Sequence, residues 1–184
     1  MLSRDDARLV LIDPQRVFAD EASPWGSPMF PDALPAMLRL ARAFDRRTIV
    51  TRWVAPAAPL GSWGPYLEAW PFANVAPDDP LFDLVDDVAA LDPLVLTATT
   101  FGKWSLIERV TGSAPALVLA GVATDCCVIS TALAAADAGA SVTVVTDACG
   151  GSTPENHAAA LQIMGLFAPQ ITLASSAEVL AALA

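Results

Sequence analysis

A chain of 184 residues with 54 % hydrophobic side chains has the length of one α/β domain and enough apolar surface for a substantial core. Its formal net charge of -10, with 10 scattered basic residues, argues against nucleic acid or an anionic membrane as partner, because phosphate binding needs a Lys/Arg surface. Three cysteines do not make a disulfide framework, and only 16 % charged residues leaves an apolar surplus that points to a homodimer or larger homo-oligomer.

Taken in order, Arg4, Asp5, Asp6 and Arg8 precede the first apolar run, so no signal peptide is expected and the chain reads as cytoplasmic. No later run escapes Asp, Gly or Pro for long enough to span a bilayer. Arg8-Leu9-Val10-Leu11-Ile12 is the first strand, ended by Asp13-Pro14. Residues 31–44 have helical spacing, with Leu34, Met37, Leu38 and Ala41 on one face and a proline near the start. Thr48 to Trp53 forms the second strand. Residues 54–80 then lose all period: six prolines, two glycines, two tryptophans and a tyrosine mark a long functional loop, read as a lid or pocket wall. A short acidic helix is expected over 81–90. Leu94-Val95-Leu96-Thr97 is the third strand, with Lys103 past its carboxyl end, and 104–110 is a short helix.

Ala116-Leu117-Val118-Leu119-Ala120 is an unbroken apolar run, the pattern of a strand buried on both faces. Gly121 punctuates it, Thr124 and Asp125 are N-cap residue types, and an Ala-rich helix follows over 131–138. Cys126 and Cys127 therefore sit in a first helical turn, where free N–H groups and the helix dipole favour a thiolate. Ser141 to Thr146 is the fifth strand, ended by Asp147, with Cys149 just beyond and read as a packing residue. Thr153-Pro154-Glu155 opens a helix, Gln170 to Leu173 is the sixth strand, and 176–183 is the last helix. The alternation implies a three-layer α/β/α sandwich: a mostly parallel, six-stranded, Rossmann-like sheet in a single domain over 1–184. Parallel strands gather their carboxyl ends on one edge. Asp13, Lys103 and Cys127 (or Cys126) could meet there as base, cation and nucleophile.

Gly121-Val122-Ala123-Thr124-Asp125-Cys126-Cys127-Val128 resembles the signature of the isochorismatase-like cysteine hydrolases, a family that includes nicotinamidases and carbamoyl-amide amidohydrolases. The resemblance extends to Leu11-Ile12-Asp13-Pro14-Gln15, Phe101-Gly102-Lys103, Thr146-Asp147-Ala148-Cys149 and Thr153-Pro154-Glu155-Asn156-His157. It implies Cys127 as nucleophile, Asp13 as general base and Lys103 as third member. It also implies a non-proline cis peptide between Val122 and Ala123 that aims the Ala123 N–H, with that of Cys127, at an oxyanion. Gln15, Phe18 and Trp53 are assigned to substrate binding, and Trp63, Trp104 and the proline-rich loop to the rest of the pocket wall. Metal-dependent members carry an Asp-x-His and a further His after the second strand. Here that region reads Thr51-Arg52-Trp53-Val54, and His157 is the chain's single histidine, so no metal and no cofactor is expected. The family's Phe-x-Gly-Thr stretch between Lys103 and the fourth strand is not visible.

The leading expectation is a metal-independent amidohydrolase acting on a small molecule. The alternatives are vinyl-ether hydrolysis of an isochorismate-like dianion, with Arg16 and Arg52 as anchors, and a non-catalytic binding domain on the same fold.

Overall fold

The computed structural model describes residues 7–183; Arg4, Asp5 and Asp6, on which the reading of the N-terminus rests, lie outside the described residues. In chain order the elements are β1 (Arg8–Ile12), α1 (Arg16–Ala19), α2 (Phe30–Phe44), β2 (Thr48–Trp53), α3 (Trp63–Ala69), α4 (Asp86–Ala89) and β3 (Leu94–Ala98). Then follow α5 (Trp104–Thr111), β4 (Ala116–Val122), α6 (Ile129–Asp137), β5 (Ser141–Gly150), α7 (Pro154–Gly165), β6 (Ile171–Ala174) and α8 (Ser176–Leu183). All six strands pair in parallel in the order β3-β2-β1-β4-β5-β6. The order reverses between β1 and β4, which makes the crevice at their carboxyl ends the topological switch point of a doubly wound sheet.

Each central strand is apolar on both faces because helices cover both. Leu9 and Leu11 of β1, with Val118, Ala120 and Val122 of β4, enter a core beneath α2 and α8. Val10 and Ile12, with Leu117 and Leu119, enter a second core beneath α5, α6 and α7. This is the period-two alternation of a strand, doubled because neither face meets water. Gly121 is required at the seam. It has φ of 123°, and a Cβ there would lie 2.6 Å from Ile12 N, so any other residue would force β1 and β4 apart.

Three elements differ from the sequence reading. β5 does not stop at Thr146 but continues to Gly150. Its register against β4 jumps from Leu119↔Val144 to Gly121↔Cys149, a bulge that swings Asp147 outward. Asp147 then accepts hydrogen bonds from Ser176 N and Oγ, both 2.6 Å, and caps α8. The expected acidic helix over 81–90 is divided: a single 3-10 turn at Pro80–Phe82 precedes the four-residue α4. Burial of Phe82 at the first of these explains the break. The proline-rich stretch holds a short helix, α3, rather than open loop. Among the described residues no helix is long and apolar enough to cross a membrane.

Candidate active site at the switch point

Asp13 leaves β1 with φ of 48°, a left-handed conformation that aspartate tolerates better than most residues. Its side chain is fully buried. Oδ1 accepts from Thr51 Oγ1 at 2.7 Å, and the same Thr51 oxygen accepts the Asp13 N–H at 3.2 Å. Lys103 Nζ lies 2.9 Å from Oδ2, both side chains being wholly removed from solvent. Nζ also donates to Thr100 O at 2.6 Å. Apart from this ion pair Oδ2 accepts no hydrogen bond, so a lone pair of the buried carboxylate is unused.

Cys127 lies in a turn of π-helix, Thr124–Val128, between β4 and α6. Thr131, one turn further on, accepts the Lys103 N–H at 3.0 Å and donates to Cys127 O at 2.7 Å. One buried hydroxyl thus ties the Lys103 loop to the turn that carries Cys127. The Val122–Ala123 peptide is cis, and Ala123 O accepts the N–H groups of Cys126 and Val128 at 3.0 and 3.1 Å.

The thiols do not ionise as helix position alone suggests. A hydrogen bond that the Cys127 thiol donates to Cys126, together with burial and the Asp13 charge, pushes the Cys127 thiol well up, and Lys103 offsets this only in part. That same hydrogen bond draws Cys126 down. Desolvation and the neighbouring carboxylate therefore outweigh the dipole at Cys127. At rest Cys127 is therefore a protonated thiol, with the Asp13 carboxylate close enough for its charge to act on it. Cys149 is elsewhere: it is buried in the second core, Sγ lies 3.9 Å from Leu119 O, and burial pushes it up to about 12.

Over the two cysteines opens a cavity of about 310 Å³, at the small end for ligand sites. Phe18, Trp25, Tyr66, Trp70 and Phe101 supply its aromatic lining, with Ala123, Asp125 and Ser152 at the floor and side. Trp25 organises this wall, with ring centroids 6.1 Å from Phe18, 5.9 Å from Tyr66, 5.8 Å from Trp70 and 5.0 Å from Phe72. Of the expected pocket aromatics, Phe18 lines the cavity. Trp53 is fully buried behind it, 6.1 Å from Phe101, and Trp63 packs on Phe101 from the far side at 5.0 Å. Trp104 belongs to the second core.

Gln15 is also withdrawn from the cavity. Its amide donates to Trp53 O (2.8 Å) and Phe82 O (2.7 Å) and accepts from Trp53 N (2.7 Å). All of its polar capacity but one lone pair is spent clamping the ends of β1 and β2 to the turn at Phe82. Arg16 faces outward, 3.1 Å from Asp86 and 3.9 Å from Asp83. Arg52 binds Thr97 Oγ1 and Pro77 O, each at 3.1 Å. A larger cleft of about 390 Å³ near Arg42, Arg46 and Leu91 lies at the opposite edge of the sheet, where β2 and β3 begin, away from every group above.

The wall on the other flank is polar. Asp125 Oδ1 accepts the Ser152 N–H at 2.8 Å and Oδ2 the Ser152 hydroxyl at 2.6 Å, and Asn156 Nδ2 donates to Ser152 Oγ at 2.9 Å. His157 Nδ1 pairs with Thr124 Oγ1 at 2.9 Å, and burial lowers its basicity. Among the described residues no group of three or more His, Cys, Asp or Glu side chains is placed to hold a metal ion.

The family model described as the Isochorismatase domain matches residues 7–175. The chain belongs to the isochorismatase family of hydrolases. Solved structures share its fold at low identity. A cysteine hydrolase from Pseudomonas syringae pv. phaseolicola 1448A is 14 % identical with a TM-score of 0.82, covering 99 % of this chain and 94 % of its own. An isochorismatase-like hydrolase from Alkaliphilus metalliredigens gives 16 %, 0.78, 96 % and 98 %, and a nicotinamidase from Bacillus subtilis 19 %, 0.72, 92 % and 99 %. No curated protein matches the chain.

Proposed function

We propose that this protein is a metal-independent cysteine hydrolase that cleaves the C–N bond of a small amide through a thioester on Cys127. The carrying observation is the buried Lys103–Asp13 pair, with an Asp13 oxygen that accepts no hydrogen bond, set beside a thiol held in its protonated form. As substrate enters, Asp13 takes the Cys127 proton and the sulfur attacks the amide carbon. The N–H groups of Ala123 and Cys127 hold the resulting oxyanion; one such donor is worth about 2.7–4 kcal/mol in comparable sites. Asp13 passes its proton to the departing amine, and the C–N bond breaks to leave the thioester. Water, deprotonated by Asp13, then attacks the thioester carbon and releases the acid, and the proton returns to Cys127. Lys103 keeps a positive charge beside the base throughout. No part of the scheme asks for a metal, and the residues at the end of β2, Arg52 and Trp53, include no metal ligand.

Vinyl-ether hydrolysis of a dianion finds no support, because Arg16 and Arg52 are both engaged away from the cavity. Exposed Leu94, Val95 and Val110 on the β3–α5 edge support self-association of the chain. The test of the chemistry is a panel of small amides assayed for release of ammonia or amine, with rapid acid quench and intact mass to trap an acyl adduct. The adduct is expected on the peptide containing Cys127 and absent in Cys127→Ala. Full turnover by Cys127→Ala would remove the proposal.

A further inference from the structure

The charge inventory of the cavity narrows what it can admit. Asp125 is the one charged side chain among the described residues that line it. Its two hydrogen-bond partners, the N–H and hydroxyl of Ser152, are neutral, so its charge is oriented but not cancelled. The cation nearest the thiols, Lys103, is sealed from solvent and shared between Asp13 and Thr100 O. It forms an internal pair and offers nothing to a ligand. His157 stands behind Thr124, and its lowered basicity keeps it uncharged at neutral pH. The rest of the lining is uncharged and dominated by five aromatic side chains, which strip water from whatever enters. A carboxylate or phosphate ester would therefore lose hydration, meet no cation and face Asp125, the combination that most disfavours a buried charge.

We propose that the site accepts uncharged or cationic amides with flat, apolar acyl groups, and that Asp125 is the specificity-determining residue that rejects anionic ones. This rests on the thiol-hydrolase reading for its relevance to turnover, but its own evidence is the wall and its charges. The apolar body of the ligand would lie among Trp25, Tyr66 and Phe101, and an N–H or ammonium group would turn toward the unused lone pairs of Asp125. Selection works mainly by exclusion, through a repulsive element placed against the wrong ligand.

The experiment compares two alkylating agents of near-equal size, uncharged iodoacetamide and anionic iodoacetate, on the native protein at neutral pH and low salt. Labelling at Cys126 and Cys127 is followed by peptide mass, and glutathione supplies the intrinsic rate ratio. Both thiols open into the same cavity, so either reports its charge. Iodoacetamide should be favoured by about ten-fold or more beyond the glutathione ratio, the size expected of one unscreened charge a few ångströms away, and added salt should reduce the preference. Asp125→Asn should narrow the preference several-fold. Ser152→Ala, which keeps the carboxylate but removes the hydroxyl, should retain it. A ratio equal to that of glutathione overturns the proposal. So does an Asp125→Asn ratio equal to wild type, or an equal collapse in Ser152→Ala, which would trace the effect to wall geometry. Amide turnover surviving Cys127→Ala would instead strike the hydrolytic scheme and leave these ratios as they are.

Discussion

Replacing Lys103 by methionine isolates the buried ion pair at the centre of the site. Methionine keeps most of the volume of the stem while removing the ammonium, so packing against α5 and α6 changes little. What remains is the Asp13 carboxylate, fully buried, with Thr51 Oγ1 and its own backbone turn as polar surroundings. Breaking a pair of this kind typically costs about 3–5 kcal/mol, because the surviving charge has no compensation. The loss of the Nζ to Thr100 O bond leaves one more polar atom without its partner, a further ~1 kcal/mol. Lys103→Met is thus expected to destabilise by about 4–6 kcal/mol, a large share of the stability of a domain this size. Asp13→Asn combined with Lys103→Met removes both charges, and should recover more than half of that loss while remaining inactive. Urea unfolding of the wild type, Lys103→Met, Asp13→Asn and the double variant, with equal m-values required, gives the coupling energy directly. A single-mutant cost below about 1 kcal/mol, or a double mutant less stable than Lys103→Met, would show that the pair is not sealed from solvent, and the account of Asp13 as a desolvated base would fail with it.

Two other outcomes follow from the geometry. Gly121→Ala should destabilise by about 3 kcal/mol or more, since it combines a left-handed φ with collision against the Ile12 backbone, and thermal unfolding will register it. A drop of less than about 1 kcal/mol would mean that β1 and β4 separate freely. Cys149, pushed up to about 12 in the fold, ionises first in the unfolded chain, whose thiol titrates near 8.5–9. The native state then holds the extra proton, so stability falls as pH rises from about 9 toward 12, by at most about 1.4 kcal/mol per pH unit. Cys149→Ala should flatten that part of the urea-midpoint profile, and an unchanged slope refutes the assignment.

The order and direction of the strands are legible in the sequence because parallel strands buried on both faces must be continuous apolar runs. Asp13 and Thr124 follow closely on the ends of β1 and β4, whereas Gly121, which reads as punctuation, is paired within β4. The same logic fails for β5: Asp147 reads as a terminator, but the bulge turns it outward to cap α8 while the strand resumes. Asp13, Lys103 and Cys127 were visible as candidates because each follows a strand's carboxyl end. Thr51 and Thr131, which hold Asp13 and join Lys103 to Cys127, were not, since a threonine in a strand or helix carries no mark of its tertiary partner. The aromatic wall was read in part, since Phe18 and the 54–80 stretch, through Tyr66 and Trp70, do line the cavity, and the rest was missed for a related reason. Trp53, Trp63 and Trp104 are as prominent in the sequence as Trp25 and Trp70, and only the irregular backbone of residues 20–29 and 54–80 decides which rings reach the cavity. The ionisation of Cys127 was read from its helix position alone, a local property, whereas burial and Asp13 set it through the tertiary fold.

The wall gathered by Trp25 and the acid–base group gathered by Thr51 and Thr131 share almost no structural members. The second is mounted on the sheet edge and the start of α6; the first is assembled from the short helices α1 and α3 and the segments around them, which meet through ring contacts. Substitutions in those segments can reshape what the enzyme accepts while the proton-transfer apparatus keeps its geometry. Diversification of substrate range along a lineage can therefore proceed by loop change alone, at little risk to the reaction itself.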